Sequence, residues 1–275
     1  MALFARALTA WLILWAAPAF GMPLAVTNVA AGESQVLVML HLPPPHYRAA
    51  ANYGSYENAP GHEARRRIAD ALARAHGLVL ESDWPMPVLG VDCYVLSVPS
   101  TRNVADVVHD LTRDPRTQWA QPLNTFHGLD RPAESLYALQ PGASLWHLNF
   151  VDAADPPAES HGTAIAGIIG AAASDNAQVI GIAPQARLLA LRACWQVSAE
   201  QTLCNSFTLA KALQFAIQAR VDVINLSLGG PQDELLSRLL DAAHARGILT
   251  VAAVDPRHGM AVGGHVQRLP DPGVP

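Results

Sequence analysis

Apolar positions in the first half of the chain switch repeatedly between a strand period and a helix period. Gln35 to His41 (QVLVMLH) is an almost continuous apolar run of strand length. From His62 to His76, Ala64, Ile68, Leu72 and Ala75 fall on one helical face, and Gly77 supplies the stop. Leu78 to Glu81 and Asp92 to Val98 read as strands. Asn103 caps a helix in which Val104, Val107, Val108 and Leu111 follow the i, i+3, i+4, i+7 spacing. Thr117 to Gln121 is a last short strand. The order β-α-β-β-α-β predicts a ferredoxin-like split βαβ unit over residues 35–121. Pro43 to Pro60 reads as a surface loop, and residues 122–145 read as a linker, exposed from Ala120 to Leu129.

In the second half the pattern becomes that of an α/β unit. Arg187 to Ala193 (RLLALRA) is an apolar run, Val221 to Leu228 (VDVINLSL) a buried strand and Ile248 to Val254 (ILTVAAV) the next strand. Between them lie a helix capped by Ser206, carrying Leu209, Ala212, Leu213, Ala216 and Ile217, and a helix from Asp233 to Arg246. The latter turns Leu236, Leu239, Leu240 and Ala243 inward and stops at Gly247. Strand, helix, strand, helix, strand with short loops predicts right-handed crossovers and a parallel sheet. Sites in such sheets form beyond the carboxyl ends of the strands, where Gly229-Gly230-Pro231 and Asp255-Pro256 fall.

One stretch carries candidate chemistry. Ser160-His161-Gly162-Thr163 opens a helix of small and branched apolar residues running to Gly170. A tightly packed helix holds its first side chain rigidly, as a general base requires. The bland alternative is a satisfied core histidine beside that helix. The remaining histidines of the eleven are scattered, and no Cys/His group has zinc spacing, so neither a metal nor a cofactor is expected.

Composition bounds the rest. The chain has 275 residues, is 51% hydrophobic and carries a formal net charge of −5 without a basic run. No electrostatic footprint for nucleic acid is present. Residues 1–19 read as a signal peptide: Arg6, an apolar run from Ala7 to Ala17, then Ala17-Pro18-Ala19. A secreted or periplasmic location follows, with no membrane partner once the signal is removed. Among Cys93, Cys194 and Cys204, the last two flank a short polar loop and Cys93 sits in an apolar strand run; three cysteines leave the pairing open.

Three blocks in order resemble the subtilisin-like serine peptidase family: Ser160-His161-Gly162-Thr163 with its helix, Val179-Ile180-Gly181-Ile182-Ala183-Pro184, and Val223-Ile224-Asn225-Leu226-Ser227-Leu228-Gly229-Gly230-Pro231. The first half is similar to the family's propeptide, a ferredoxin-like unit that assists folding and inhibits its own peptidase. The resemblance covers roughly residues 35–256. It implies a ferredoxin-like propeptide domain followed by a partial subtilisin-like parallel-sheet domain over residues 146–275. It implies His161 as the general base, and Ser227, Leu228 and Gly229 as the strand that binds an extended peptide or protein substrate.

Three family features have no match here. The aspartate belongs at the end of an apolar strand before the histidine, and that strand is missing. Asp152 and Asp155 lie instead in a Pro/Ala loop. The nucleophile belongs in a Gly-Thr-Ser-Met-Ala type block opening a late helix, and the chain reaches Pro275 without one. Ser227, on the substrate strand, and Ser237, on a helix face, are not replacements. The oxyanion asparagine belongs shortly after the strand matching Ile248 to Val254, where Asp255-Pro256 stands. The expectation is a secreted endopeptidase homologue that is catalytically incomplete. The alternatives are a non-catalytic inhibitor or folding assistant of a related peptidase, and a truncated gene product.

Overall fold

The computed structural model describes residues 34–41, 59–128, 145–152, 159–171, 180–198 and 201–253. The signal-peptide reading, Asp155 and the stretch from residue 254 onward lie outside them. The first half contains β1 (Gln35–His41), α1 (Ala59–Ala75), β2 (Val79–Met86), β3 (Val91–Ser97), α2 (Val104–Thr112) and β4 (Thr117–Pro122). The strands form one antiparallel sheet in the order β2-β3-β1-β4. The unbroken apolar runs of β1 and β3 are explained by burial on both faces. Val36, Val38, Tyr94 and Leu96 pack with Leu72, Val107 and Leu111 of the two helices. The alternate residues Leu37, Met39, Cys93 and Val95 pack with the helices of the second half.

Two details differ from the sequence expectation. Helix α1 buries Ala69, Leu72 and Ala73, while Ile68 is 48% exposed and Ala64 and Ala75 are exposed. The inward ridge also carries His62, bonded to Asp83 (2.5 Å), and Arg65, paired with Asp92. These polar residues take core-facing positions that a count of apolar residues skips. Strand β2 runs on past Glu81 to Met86 because it is a sheet edge, where Pro85 sacrifices no ladder donor.

The second half begins inside the expected linker. Thr125–Gly128 is a strand, β5, and Phe126 within it is fully buried. It is followed by β6 (Leu145–Asn149), α3 (Ser160–Gly170), β7 (Leu188–Arg192), β8 (Cys194–Ser198), β9 (Gln201–Asn205), α4 (Ser206–Gln218), β10 (Val223–Leu226), β11 (Leu228–Gly229), α5 (Glu234–His244) and β12 (Leu249–Ala252). Parallel pairing is present as two separate pairs, β6 with β7 and β10 with β12. The remaining strands make an antiparallel sheet in the order β11-β5-β9-β8, which the apolar pattern did not announce.

The cap of α4 is Asn205, one residue before the expected Ser206. Its side chain accepts from Thr208 N in a reciprocal capping box. Nearly every side of α4 is buried, including Lys211 and Gln214, because the helix lies between the first-half sheet and its own neighbours. Helix α5 is capped by Asp233 and turns Leu235, Leu236, Leu239, Leu240 and Ala243 into the same core. Its stop, Gly247, has φ +76°, which favours glycine. Cys194 and Cys204 form a disulfide between paired positions of β8 and β9, and Cys93 is a buried free thiol. No described helix is long and apolar enough to cross a membrane.

Candidate functional site

Helix α3 is fixed at both ends by groups from other elements. At its start, Ser160 N donates to Gln196 Oε1 (3.0 Å), and Thr163 Oγ1 donates to the Glu159 carbonyl (2.6 Å). Glu159 itself accepts from Arg192 Nη2 (2.8 Å) and Nε (3.2 Å), and from Gln196 N (3.3 Å). At its end, Gly181 N, Ile182 N and Ala183 N donate to the carbonyls of Ala171, Ile168 and Ile169 at 2.7–3.0 Å. The Gly181-Ile182-Ala183 block therefore satisfies carbonyls that a helix end leaves orphaned. A Cβ on Gly181 would stand 2.5 Å from Ala171 N and 2.7 Å from Ile169 O. Only a residue without a side chain permits that return. Gly170 has the same role toward β7, since a Cβ there would meet Leu188 Cδ1 at 2.7 Å.

This frame places the half-buried His161 beside the loop between β10 and β11. Its Nε2 lies 3.1 Å from the main-chain oxygen of Ser227. A carbonyl oxygen only accepts, so Nε2 carries the proton in this contact. A general base acting through Nε2 needs that nitrogen bare to accept from a hydroxyl. The Ser227 hydroxyl is engaged elsewhere, accepting from Asn225 Nδ2 at 2.9 Å. Asp152 accepts from Asn149 Nδ2 (2.8 Å) and Arg192 Nη1 (3.2 Å). Among the described residues, no three His, Cys, Asp or Glu side chains cluster as metal ligands would.

Leu228 and Gly229 are buried, and what covers them is the chain itself. β5 pairs antiparallel with them, Gly128 opposite Leu228 and His127 opposite Gly229. On its other side β5 pairs with β9, Phe126 opposite Cys204. The Phe126 ring fits against Gly230 so closely that a Cβ there would stand 2.9 Å from Cε1 and Cγ, and nearer still to Cδ1.

A polar node anchors the start of β5. Asn124 N donates to Ser206 Oγ (3.0 Å), and that hydroxyl donates to Asp233 Oδ2 (2.5 Å). Asn124 Nδ2 donates to the same carboxylate oxygen (2.8 Å), while Gln121 Oε1 accepts from Leu235 N (3.0 Å). The first turns of α4 and α5 are thus tied to the segment leading out of β4. Sequence reasoning missed this node and Phe126, because four strand residues bounded by Asn124 and Leu129 carry too short an alternation to read. Lys211 marks the same junction. Its amine lies over Trp84 of β2 (5.3 Å to the ring centre) and Phe207 (4.9 Å), and burial lowers its pKa to about 8.

Comparison with known proteins adds a likeness over part of the chain. Residues 146–255 match the subtilase family model. Subtilisin-like protease SBT3.15 of Arabidopsis thaliana is 36% identical over 108 residues, covering 35% of this chain and 14% of its own length. Subtilisin DY of Bacillus licheniformis is 37% identical over 94 residues, covering 34% and 32%. An intracellular serine protease of Paenibacillus polymyxa is 38% identical over 73 residues, covering 26% and 21%. The chain thus spans between 14% and 32% of the length of these relatives.

Proposed function

We propose, from membership in part of the subtilisin-like serine peptidase family through residues 146–255, that residues 1–275 form a self-occluded peptide-binding protein without hydrolytic turnover. The observation that carries the proposal is the antiparallel pairing of Thr125–Gly128 with Leu228–Gly229. The strand that family resemblance assigns to the substrate holds an extended segment of the same chain. The occupant uses the means a substrate peptide would use: main-chain hydrogen bonds for affinity and one buried aromatic side chain for specificity.

In this reading residues 35–121 are a ferredoxin-like, propeptide-type unit that delivers β5 to the groove. His161 keeps the family's position while its Nε2 proton rests on the Ser227 carbonyl. Within residues 1–275 no Gly-Thr-Ser-Met-Ala type block supplies a hydroxyl for that nitrogen. For residues 1–275 by themselves, covalent catalysis then lacks its attacking group, and binding and dipoles give only a residual enhancement over water. The first half acting on a separate peptidase is the second reading. It requires the Leu37, Met39 and Cys93 face of the sheet to be free, and that face is buried against α4 and α5 of this chain.

The test uses a phosphonylating probe for activated serines on the full chain. No covalent label is expected. Stoichiometric labelling that His161→Ala abolishes would replace this proposal with a working peptidase.

A further inference from the structure

We infer that the Cys194–Cys204 disulfide is a redox latch controlling how tightly β5 is held. This rests on the reading that β5 occludes the Leu228–Gly229 strand. Two residue pairs join β5 to β11, and three join it to β9. β9 is therefore the larger half of the clamp. β9 is backed by β8, a sheet edge whose tip residues Val197 and Ser198 are exposed. The disulfide crosses from β8 to β9 at directly paired positions. Cys204 is in turn the residue opposite Phe126. Cys194, Cys204 and Phe126 thus form one row across the sheet, and the last two are fully buried in one core cluster. The row is covalent at one end and packs the aromatic anchor at the other.

The two ends of the bridge differ in access. Cys194 is half-buried on the edge strand, whereas Cys204 is fully buried. A reductant thiolate attacks the Cys194 sulfur and forms a mixed disulfide there. Cys204 leaves as a thiolate and takes a proton. A second reductant thiol resolves the mixed disulfide, so two electrons pass from a dithiol to the protein and the dithiol ends as its own disulfide. The base of the hairpin does not depend on the bridge, because Thr208 Oγ1 donates to the Ala193 carbonyl at 2.6 Å. Reduction accordingly loosens β8 and the β9–β5 seam and leaves α4 in place. Removing a crosslink that closes a loop of sequence separation 10 should raise local opening on the order of 100-fold.

The experiment is hydrogen–deuterium exchange on the full chain, oxidised and after treatment with dithiothreitol, with alkylation and mass measurement to confirm two new thiols. Amides of residues 126–128 and 202–204 should exchange on the order of 100-fold faster after reduction, while those of β1 and β3 keep their protection. Cys194→Ser in non-reducing buffer should reproduce the reduced pattern, and Cys93→Ser should leave the oxidised pattern unchanged. Unchanged protection at 126–128 in a verified dithiol form would overturn the latch. Loss of protection throughout β1 and β3 would overturn it too, by making the bridge a global staple. Either result leaves the serine-probe test of the occluded-groove reading intact.

Discussion

Gly230→Ala offers the sharpest probe of how β5 is seated. The new methyl would sit 2.9 Å from two carbons of the Phe126 ring and closer to a third, all well inside ordinary carbon–carbon contact. Phe126 is fully buried, so its ring has no solvent into which to retreat. Overpacking of this kind costs about 1–3 kcal/mol. Phe126→Ala alone removes the ring and leaves a cavity, which costs about 3–5 kcal/mol. In the double variant the added methyl enters the space that the ring vacated, so the second change should cost almost nothing. The cycle predicts a coupling of about 1–3 kcal/mol between the two sites, each substitution sparing the other. Urea denaturation of the four proteins, followed by far-ultraviolet circular dichroism, supplies the four free energies. Additivity within about 0.5 kcal/mol would mean that the ring does not rest on Gly230, and the seating of β5 would be wrong.

Other expectations concern the frame around that strand. Lys211→Met should raise the melting temperature at pH 7, because burial holds the amine's pKa at about 8, below the ordinary lysine value of 10.5. The sign follows from a folded pKa below the unfolded one: wild-type stability rises as pH climbs from about 8 toward 10.5, and the full penalty of about 3 kcal/mol applies below that window. The gain from Lys211→Met should therefore shrink toward pH 10.5 in a series of melting curves; a constant gain would refute it. Gly181→Ala should cost about 2 kcal/mol or more in urea denaturation, since its methyl meets backbone atoms that cannot rotate away. A loss below about 0.5 kcal/mol would contradict the cap described for α3. Asp233→Ala should cost about 2–4 kcal/mol, because the carboxylate serves Ser206, Asn124 and the first turn of α5 together. Recovery of most of that loss in Asp233→Asn is not expected, because an amide accepts through only one oxygen.

The helices and the central strands were legible because their signals are long and regular. Asn103, Asp233 and Gly247 mark element ends by local chemistry alone, and the structure uses all three as caps or stops. The phase of α1 was not legible. Its inward ridge mixes Ala69 and Leu72 with His62 and Arg65, whose partners Asp83 and Asp92 lie on distant strands. The strand character of Thr125–Gly128 was hidden for a similar reason. Its pairing partners, β9 and β11, are about 75 and 100 residues away, and four residues hold no usable period. His161 was singled out by motif, and the structure adds the contact of its Nε2 with the Ser227 carbonyl oxygen, which no motif encodes. Val223 belongs to a strand read as buried, yet it is 53% exposed, and Leu249 and Val251 of its parallel partner are 40% and 43% exposed. Helices α4 and α5 cover the opposite side, where Ile224 and Leu226 point.

The most direct measurement is a through-space proton contact map of the isotopically labelled full chain. Cross-peaks between the backbone protons of Gly128 and Leu228, and of His127 and Gly229, are predicted, with the Phe126 ring protons close to the Gly230 α-protons. A spectrum in which Leu228 and Gly229 show no contact with residues 125–128 would contradict the occupation of this strand by the chain itself.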